Sequence, residues 1–420
     1  MRILWSVNTI SPEIAEKFNI SSSHSISWVD AMSKELSKCN DISLAIVSPC
    51  GDSEFVQREE CNGITYYFIN KRNKGSDVWK RIIDEFNPDV IHAYGTEGKH
   101  NIGLINEAKN KVPIVISLQG LVGEYSKYYY AGIPLLDIVF NYTIGDLLLH
   151  RGIIEKKKSF KKQSKLEVQM LKSVQYVEGR SDWDRVYSKK INRDLKYYYC
   201  PRMLREPFYK YSWNCKDFQK HSILVHQATY PIKGLHMVLD ALSIVKKNYP
   251  NVKMYIAGKT NFSPTGIKER LLYTGYTKYI KKKITNLNLE ENIEFTGYLS
   301  AEEMAEKLSE VNVCIIPSSI ENAPNALAEA MVVGTPIISS FAGGSPDMLN
   351  EGQCGLLYRF EEPEMMADRI ESYFVDNELA KTKANNARIV ARNRHDPNKL
   401  INIIKEIYEK VIIDYKRNSR

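Results

Sequence analysis

The sequence lacks the features that mark disulfide-rich, zinc-binding or secreted proteins. Its 420 residues include seven cysteines, none in CxxC spacing, and eight histidines that form no HExxH motif. An odd, scattered set of cysteines is typical of reduced thiols and argues against a zinc site. The first residues, MRILWSVNT, do not have the apolar core of a secretory signal. We therefore expect a cytoplasmic protein.

Long apolar runs and low-complexity segments are missing as well. The longest apolar stretch, near residues 133–150, is interrupted by Asp137, Asn141 and Asp146, whereas a membrane-spanning helix needs about 20 mostly apolar residues. With 43% hydrophobic and 26% charged residues, the composition is that of an ordinary globular chain. At roughly 100–200 residues per domain, the length indicates two or three domains.

The formal net charge of +8 is partly concentrated in two lysine-rich segments. Six lysines fall within residues 156–165, and four more within residues 278–283. A solvated helix face explains such runs, and so does attraction to an anionic membrane, which is worth about 1 kcal/mol per lysine near the surface. No RNP, helix-turn-helix or zinc-finger pattern indicates binding to nucleic acid. We expect no nucleic-acid partner, and the first two explanations stay open.

Two series of alternating strand and helix patterns divide the chain. The first series has apolar strand patterns at residues 3–8, 43–49, 64–70, 89–95 and 113–120. The second has them at residues 221–228, 253–259, 292–299, 311–319 and 335–341. This rhythm predicts an α/β fold of two doubly wound, Rossmann-like domains, with ligands bound beyond the carboxyl ends of the strands.

The predicted domain boundaries follow from these series. We place an N-terminal Rossmann-like domain at residues 1–205 and a linker at residues 206–220, where prolines, aromatic residues and mixed charges cluster. A C-terminal Rossmann-like domain follows at residues 221–395. The last segment, residues 396–420, has a helical pattern and can pack back on the N-terminal domain.

The most informative segment is residues 317–347, PSSIENAPNALAEAMVVGTPIISSFAGGSPD. It follows an apolar strand pattern and opens a helix, in which Pro324 suits the first turn and Gly334 suits a left-handed stop. The helix start exposes backbone N–H groups near Asn325 and Ala326. With the helix dipole behind them, these groups predict an anion site that fits a diphosphate.

Two carboxylates flank this predicted anion site. Glu321 lies in the loop before the helix and Glu329 lies about one turn inside it, so both can point into the crevice above the sheet. A carboxylate there would accept hydrogen bonds from sugar or ribose hydroxyls. Taken singly, Glu321 is also explained by a charge that complements the helix dipole, and Glu329 by a solvated helix face.

The two glutamates belong to a longer pattern, Glu-x7-Glu followed by Ala-Met, Gly-Thr-Pro and the pair Gly343-Gly344. This pattern resembles the retaining glycosyltransferases of family 4, which have the GT-B fold of two domains facing across a cleft. The resemblance covers nearly the whole chain and is strongest over residues 221–360. It implies that Glu321 holds the transferred sugar and that Glu329 holds the nucleotide ribose.

Two further segments add to the resemblance. Residues 230–242, YPIKGLHMVLDAL, are similar to the family segment whose lysine contacts the donor diphosphate, which implies that role for Lys233. The alternative is a lysine that only starts a helix. Residues 88–100 are similar to the end of the fourth strand of the N-terminal domain, which implies that His92 faces the cleft. A packed structural histidine is the alternative. Residues 178–187 and 201–209 resemble a subgroup that acts in bacterial surface-polysaccharide assembly.

The chain departs from the family pattern at three places. Ile26-Ser27 stand where many relatives have a Gly-Gly turn close to the donor phosphates, and Ser27 is the donor contact expected there. Ala228 stands where many relatives have an arginine. Gln119 replaces a histidine; it cannot act as an acid or base, but its amide can hydrogen-bond a sugar hydroxyl.

Asp182-Trp183-Asp184 has two explanations, a metal-binding motif and a helix cap. Asp-x-Asp binds Mn²⁺ or Mg²⁺ in the other glycosyltransferase fold, but here it follows Ser181 at a predicted helix start, and capping explains it. Since Lys233 and a helix N-terminus are available for the diphosphate, we expect no metal site and no cofactor besides the donor substrate.

These observations predict a retaining glycosyltransferase that moves a hexosyl group from a nucleotide sugar, in this family most often a UDP-sugar. The expected acceptor is a saccharide or lipid-linked saccharide in cell-surface polysaccharide synthesis. The lysine-rich segment after the apolar residues 133–149 predicts a peripheral contact with an anionic inner membrane leaflet. A nucleotide-sugar epimerase on the same fold and an inactive sugar- or nucleotide-binding protein are the alternatives.

Overall fold

The computed structural model describes residues 1–8, 10, 12–18, 27–51, 56–70, 76–226, 229–258, 266 and 272–418. Its strands are β1 (Arg2–Ser6), β2 (Ser43–Gly51), β3 (Gln57–Cys61), β4 (Ile64–Asn70), β5 (Val90–Tyr94), β6 (Ile114–Ser117), β7 (Tyr176–Gly179), β8 (Lys196–Tyr199), β9 (Gln219–His226), β10 (Lys253–Ala257), β11 (Ile293–Gly297), β12 (Val311–Ile316), β13 (Ile337–Ser340) and β14 (Leu356–Tyr358).

The helices alternate with these strands along most of the chain. They are α1 (Pro12–Lys17), α2 (Ser27–Ser37), α3 (Ser76–Phe86), α4 (Lys99–Ala108), α5 (Val122–Lys127), α6 (Leu135–Phe140), α7 (Ile144–Leu149), α8 (Ile153–Ser173), α9 (Asp182–Ile191), α10 (Pro207–Lys210), α11 (Leu235–Asn248), α12 (Gly275–Asn286), α13 (Ala301–Glu310), α14 (Asn325–Val333), α15 (Ser345–Met348), α16 (Pro363–Val375), α17 (Asn377–Arg394) and α18 (Pro397–Asn418).

The strands form two sheets, which confirms the predicted α/β class. One has eight strands in the order β3-β4-β2-β1-β5-β6-β7-β8, and the other has six in the order β11-β10-β9-β12-β13-β14. The described pairings are parallel except for β3, which runs antiparallel to β4 at the sheet edge. In parallel sheets, helical crossovers cover both faces, and the strands are accordingly apolar and buried.

The chain divides into two units that differ from the predicted boundaries. Unit 1 contains Met1–Val122, Gln163–Arg205 and His395–Arg420, and unit 2 contains Gly123–Lys162 and Glu206–Arg394. The sequence analysis assigned residues 123–162 to the N-terminal domain, because the strand rhythm gives no sign of which sheet a helical insertion packs on.

The predicted linker at residues 206–220 is also different in the structure. Phe208 and Trp213 are buried, and Nε1 of Trp213 donates a hydrogen bond to the carbonyl oxygen of Val311 at 2.8 Å. These aromatic side chains therefore fix the segment to unit 2 as part of its fold.

Unit 1 has an apolar layer on each face of its sheet. Helices α2 and α18 supply one layer, and helices α3 and α4 with the later part of α8 supply the other. Leu400, Ile404 and Tyr408 recur at every fourth position of α18 and are buried against the sheet. The hydroxyl oxygen of Tyr408 accepts a hydrogen bond from Nε1 of Trp5 at 2.9 Å. The last helix of the chain thus packs in the same hydrophobic core as strand β1.

Unit 2 holds the inserted residues 123–162 through a buried histidine. His236 on α11 lies with Nε2 2.7 Å from the carbonyl oxygen of Ala131 and Nδ1 3.2 Å from the hydroxyl of Tyr276. A carbonyl can only accept, so Nε2 carries the proton. Burial lowers the pKa of His236 to about 4, although the bond to Ala131 opposes that shift.

Replacing His236 with glutamine tests this contact through its pH dependence. Between the ordinary histidine pKa of about 6.5 and the folded value, the unfolded chain binds a proton that the folded chain does not. The wild-type protein should therefore lose about 2 kcal/mol of unfolding free energy between about pH 7 and about pH 5 that His236→Gln does not lose. Urea unfolding at both pH values measures the difference. Parallel losses in the two proteins would contradict the role given to His236.

Candidate functional site

The loop that follows strand β12 is fixed by a close approach of two backbone segments. Gly343 has φ +59°, and a Cβ added to it would lie 1.7 Å from the carbonyl oxygen of Glu321. The same carbonyl accepts a hydrogen bond from the N–H of Gly344 at 3.0 Å. Only glycine fits at position 343, because both its backbone angle and the space around it exclude a side chain. The Gly-Gly turn thereby sets the position of Glu321.

A second close approach fixes the turn that carries Lys233. Gly234 has φ +72°, and an added Cβ would lie 1.8 Å from the carbonyl oxygen of Pro317. The N–H of Ser319 donates to the carbonyl oxygen of Ile232 at 2.8 Å. The 3-10 turn Pro231–Lys233 is therefore held directly against the loop after β12.

These two constraints bring Lys233 and Glu321 into contact as an ion pair. Both side chains are largely buried, with exposed fractions of 17% and 12%. The hydroxyl of Ser318 donates a second hydrogen bond to the same carboxylate oxygen at 3.1 Å. Burial alone would lower the pKa of Lys233, but the Glu321 carboxylate and the Tyr230 hydroxyl outweigh it and hold that pKa above its ordinary range. Lys233 is thus a firmly charged ammonium group.

Helix α14 starts beside this ion pair. Pro324 is its N-cap, and the N–H groups of Leu327 and Ala328 bond to the Pro324 carbonyl at 3.1 and 3.2 Å. Asn325 and Ala326 form the half-exposed first turn, which has no acidic residue. Gly334 ends the helix at φ +80°, which confirms the predicted left-handed stop.

Glu329 lies one turn inside α14 and is 5% exposed. Its Oε2 lies 3.8 Å from Nε2 of His226, the last residue of the neighbouring strand β9. A solvated helix face, the simpler explanation for Glu329, is therefore excluded. Lys233, Glu321 and Glu329 all lie where strands β9 and β12 end, which is the side of a parallel sheet where ligands bind.

His92 lies in unit 1, inside the core rather than at a surface. Its side chain is fully buried, with Nδ1 2.8 Å from the hydroxyl of Tyr408 and Nε2 3.6 Å from Oε2 of Glu178. Burial lowers the pKa of His92, and Glu178 opposes that shift only in part. The resemblance implied that His92 faces the cleft, whereas the structure supports the alternative of a packed histidine, because Tyr408 of helix α18 covers it.

The other predicted contacts are placed as follows. Gln119 follows strand β6 in unit 1 and is half-buried, and its carbonyl oxygen accepts a hydrogen bond from Nη2 of Arg180 at 2.7 Å. Ser27 is the first residue of helix α2, and its side chain lies outside the described residues, as do Ile26 and Ala228.

Helix capping accounts for the Asp-x-Asp sequence, as predicted. Asp184 is buried and forms a capping box with Ser181, and it also accepts a hydrogen bond from the hydroxyl of Tyr197 at 2.5 Å. Asp182 pairs with Arg185 on the surface. Among the residues that the structure describes, no group of three or more His, Cys, Asp or Glu side chains is arranged to hold a metal ion.

Three contacts of the site were missed in the sequence. They are the bond from Ser318 to Glu321, the approach of His226 to Glu329, and a bond of 3.0 Å from the N–H of Asn322 to the hydroxyl of Tyr125. His226 and Ser318 could have been found, since both stand at or just after a strand end. Tyr125 gives no signal, because it is almost 200 residues away and belongs to the inserted segment.

The part of the chain that carries these residues is similar to known proteins. Residues 214–390 match the family described as "Glycosyl transferases group 1". YtcC of Bacillus subtilis, named as a glycosyltransferase, is 24% identical over 80% of this chain and 76% of its own length. WcaL of Salmonella typhimurium, named as a glycosyltransferase of colanic acid biosynthesis, is 28% identical over 37% of each chain. The chain thus spans three quarters of one relative and little more than a third of the other.

Solved structures show the same fold. Sucrose-phosphate synthase from Thermosynechococcus elongatus covers 99% of this chain and 100% of its own, with a TM-score of 0.69 and 13% identity. HepE from Anabaena, solved with UDP and glucose, covers 97% of this chain and 98% of its own, with a TM-score of 0.68 and 17% identity. The chain therefore has the GT-B fold, and its residues 214–390 are similar to the group 1 glycosyltransferases.

Replacing Gly343 with alanine should destabilise unit 2 more than a matched change at Gly297. Both glycines have positive φ, but an added Cβ at Gly297 has nothing within 4 Å. Gly297→Ala should cost about 1 kcal/mol for its backbone angle alone. Gly343→Ala should cost at least about 2 kcal/mol, because the Glu321 carbonyl must also move. Urea unfolding of both variants measures this. Equal losses would show that the close approach to Glu321 does not matter.

Proposed function

We propose that this protein with the GT-B fold is a glycosyltransferase that moves a hexosyl group from a UDP-sugar to a saccharide or lipid-linked saccharide, with retention of the anomeric configuration. The observation that carries the proposal is the buried Lys233–Glu321 pair at the ends of strands β9 and β12. Each partner is chemically suited to one part of a nucleotide sugar, the ammonium to a phosphate and the carboxylate to hydroxyl groups.

The donor would replace the ion pair with two separate interactions. Without a ligand, Glu321 neutralises Lys233, which a buried ammonium needs. A diphosphate brings its own negative charge to the Nζ of Lys233 and releases the carboxylate. Glu321 can then accept hydrogen bonds from the sugar hydroxyls, while Ser318 and the Gly343-Gly344 turn keep it in place. Lys233 thus keeps a negatively charged partner throughout binding, and the released carboxylate keeps the hydrogen bond from Ser318.

The start of helix α14 would complete the diphosphate site. Its first turn at Asn325 and Ala326 is half-exposed and carries no acidic side chain, so the positive end of the helix dipole is open to an anion. Glu329 lies one turn further and is buried beside His226. A buried carboxylate at that depth suits the two hydroxyls of the nucleotide ribose.

Transfer would depend on stabilising the leaving diphosphate. Lys233 and the helix dipole act where negative charge develops as the glycosidic oxygen departs, and this lowers the barrier. Retaining hydrolases use a carboxylate nucleophile close to the anomeric carbon. We assign no carboxylate to that role in this protein. A front-face route, in which the leaving diphosphate receives the acceptor proton, is therefore proposed instead of a covalent intermediate.

Two relatives support the finer parts of the proposal. HepE was solved in complex with UDP-glucose, which supports UDP as the nucleotide, and the name of WcaL assigns it to colanic acid biosynthesis, which supports a polysaccharide role. The donor complex is proposed to form without a metal ion, because Lys233 and helix α14 provide the positive charge that a metal would otherwise supply.

The donor is tested by thermal unfolding with UDP, GDP and ADP, each with and without Mg²⁺. A ligand at about 100 times its Kd stabilises the folded state by about 2.7 kcal/mol. UDP should raise the Tm without Mg²⁺, and Glu329→Gln should reduce that increase because the ribose contact is weakened. A shift that requires Mg²⁺, or no shift with any nucleotide, would contradict the donor site.

Replacing Glu321 with glutamine tests the sugar contact. Glutamine keeps the shape and can still accept a bond from Lys233, so the protein should fold, but with a lower free energy of unfolding without ligand because Lys233 loses its charged partner. Loss of a charged hydrogen bond to the sugar should lower sugar transfer about 100-fold, whereas UDP binding should not weaken, because the diphosphate no longer competes with a carboxylate for Lys233. Glu364→Gln, an exposed position in the first turn of α16, is the matched control and should keep full activity.

Product analysis separates this outcome from its alternatives. Assays with and without a saccharide acceptor show whether the donor sugar is transferred or isomerised. Unchanged transfer by Glu321→Gln would remove Glu321 from the reaction. Conversion of the donor to a second nucleotide sugar without any acceptor would indicate an epimerase instead.

A further inference from the structure

Helices α6 and α7 expose an unusual amount of apolar surface. Each helix has six residues, and together they present eight large apolar side chains that are between 49% and 75% exposed: Leu135, Leu136, Val139, Phe140, Ile144, Leu147, Leu148 and Leu149. We call these two helices and the loop between them the apolar hairpin, residues 135–149. Contiguous apolar patches of this kind mark interaction surfaces, because single scattered apolar residues are the norm elsewhere.

In the apolar hairpin the apolar side chains face outward and the polar side chains are buried, the reverse of a water-facing helix pair. Its polar residues Asn141 and Asp146 are only 3% and 1% exposed. Asp146 forms a capping box with Thr143, and its Oδ2 accepts a hydrogen bond from the N–H of Gly275 at 2.7 Å. The hydroxyl of Thr143 donates to the carbonyl oxygen of Tyr273 at 3.0 Å. These buried bonds fix the polar side against helix α12, so the apolar side must face outward.

The close fit at Gly275 makes this orientation specific. A Cβ there would lie 2.8 Å from Oδ2 of Asp146 and 2.9 Å from the carbonyl oxygen of Asn141. The start of α12 is thus shaped to receive the polar side of the apolar hairpin. Because specific polar contacts hold the hairpin with its apolar face outward, that face indicates a partner that is itself apolar.

Exposed lysines stand on both elements next to the apolar hairpin. Helix α8 begins four residues after Leu149 in sequence and carries Lys156, Lys158, Lys161 and Lys162 on its exposed side. Helix α12 carries Lys278, Lys281 and Lys282 on its exposed side. Nζ of Lys278 donates to the carbonyl oxygen of Phe140 at 3.3 Å, which places that lysine at the edge of the apolar surface.

On helices α6, α7 and α12 and in the first three turns of α8, acidic side chains do not offset this charge. Asp146 is buried, and Asp137 on α6 and Glu155 in the first turn of α8 are half-buried. Helix α12 has no acidic residue in its sequence. The combination of an apolar face and flanking lysines is complementary to the acyl chains and negative headgroups of an anionic bilayer.

We propose that the apolar hairpin inserts into the headgroup region of an anionic membrane, with the lysines of α8 and α12 on the surrounding phosphates. A second copy of this chain is a poorer occupant, because a two-fold contact would bring lysines against lysines. The hairpin helices are short, and among the described residues no helix is both long and apolar enough to cross a bilayer. The contact is therefore one that lies on the membrane rather than spans it.

This inference deepens the proposed function, since a surface-bound enzyme meets a lipid-linked acceptor at the bilayer. Its test does not require transfer. The full chain is sedimented with phosphatidylcholine vesicles that contain or lack phosphatidylglycerol, and the bound fraction gives a partition coefficient. Binding should be at least about tenfold stronger to the anionic vesicles and should fall with added salt.

Two pairs of variants separate the apolar and electrostatic contributions. Ile144→Ser with Leu148→Ser should lower binding about 100-fold, because two apolar side chains leave the interface. Ile389→Ser is the matched control, since Ile389 is 71% exposed and Ile144 is 75% exposed. Lys158→Glu with Lys281→Glu should lower binding to anionic vesicles at least tenfold, whereas Lys247→Glu on α11 should not.

The outcomes distinguish the proposal from its rivals. Vesicle binding that is absent, or that is unchanged in the Ile144/Leu148 variant, overturns it. A concentration-dependent dimer that this variant abolishes, without vesicle binding, assigns the surface to a second copy instead. The UDP-dependent rise in Tm should be the same in the variant and the wild type, so a failure of the membrane contact is distinguishable from a failure of the donor site.

Discussion

The buried contact between Lys233 and Glu321 is the constraint on which the rest of unit 2 depends. A buried ammonium is tolerated only beside a carboxylate, and here two glycines and a 3-10 turn are arranged to keep the two groups together. Strands β9 and β12 are adjacent in the sheet, so their ends deliver both groups to one place. The order of the strands therefore sets the electrostatics of the site. The Glu321 carboxylate can leave the Lys233 ammonium only if another anion takes its place.

The fold was largely readable because its elements are strongly patterned. Strand β4 was predicted at residues 64–70 and found at Ile64–Asn70, and the strand pattern at residues 311–319 contains strand β12, Val311–Ile316. Helix α17 was not predicted, because it buries only alanines, a stripe with little apolar contrast. Strand β3, with the sequence QREEC, was missed for a similar reason, as it is a half-exposed edge strand.

The site residues also divide into those that stand in sequence motifs and those whose surroundings depend on distant parts of the chain. Lys233, Glu321 and Glu329 were selected because each stands in a motif at a strand or helix end, and their role in binding stays a prediction. For His92 the sequence left two explanations, and the structure agrees with a packed histidine. The residue that covers it, Tyr408, is more than 300 positions away in the chain. The assignment of residues 123–162 failed for the same physical reason. Contacts such as the one between His236 and Ala131 determine the unit on which these residues pack, and such long-range contacts cannot be predicted from local sequence patterns.

The return of helix α18 to unit 1 affects the order in which the protein can mature during synthesis. Unit 2 has all its residues once Arg394 has been made, whereas unit 1 lacks part of its core until the last helix emerges. Until then Trp5 has no Tyr408 to bond, and one face of the first sheet stays open to water. The half of the protein that leaves the ribosome first is therefore the half that finishes folding last, and the interval is when chaperones have a surface to bind.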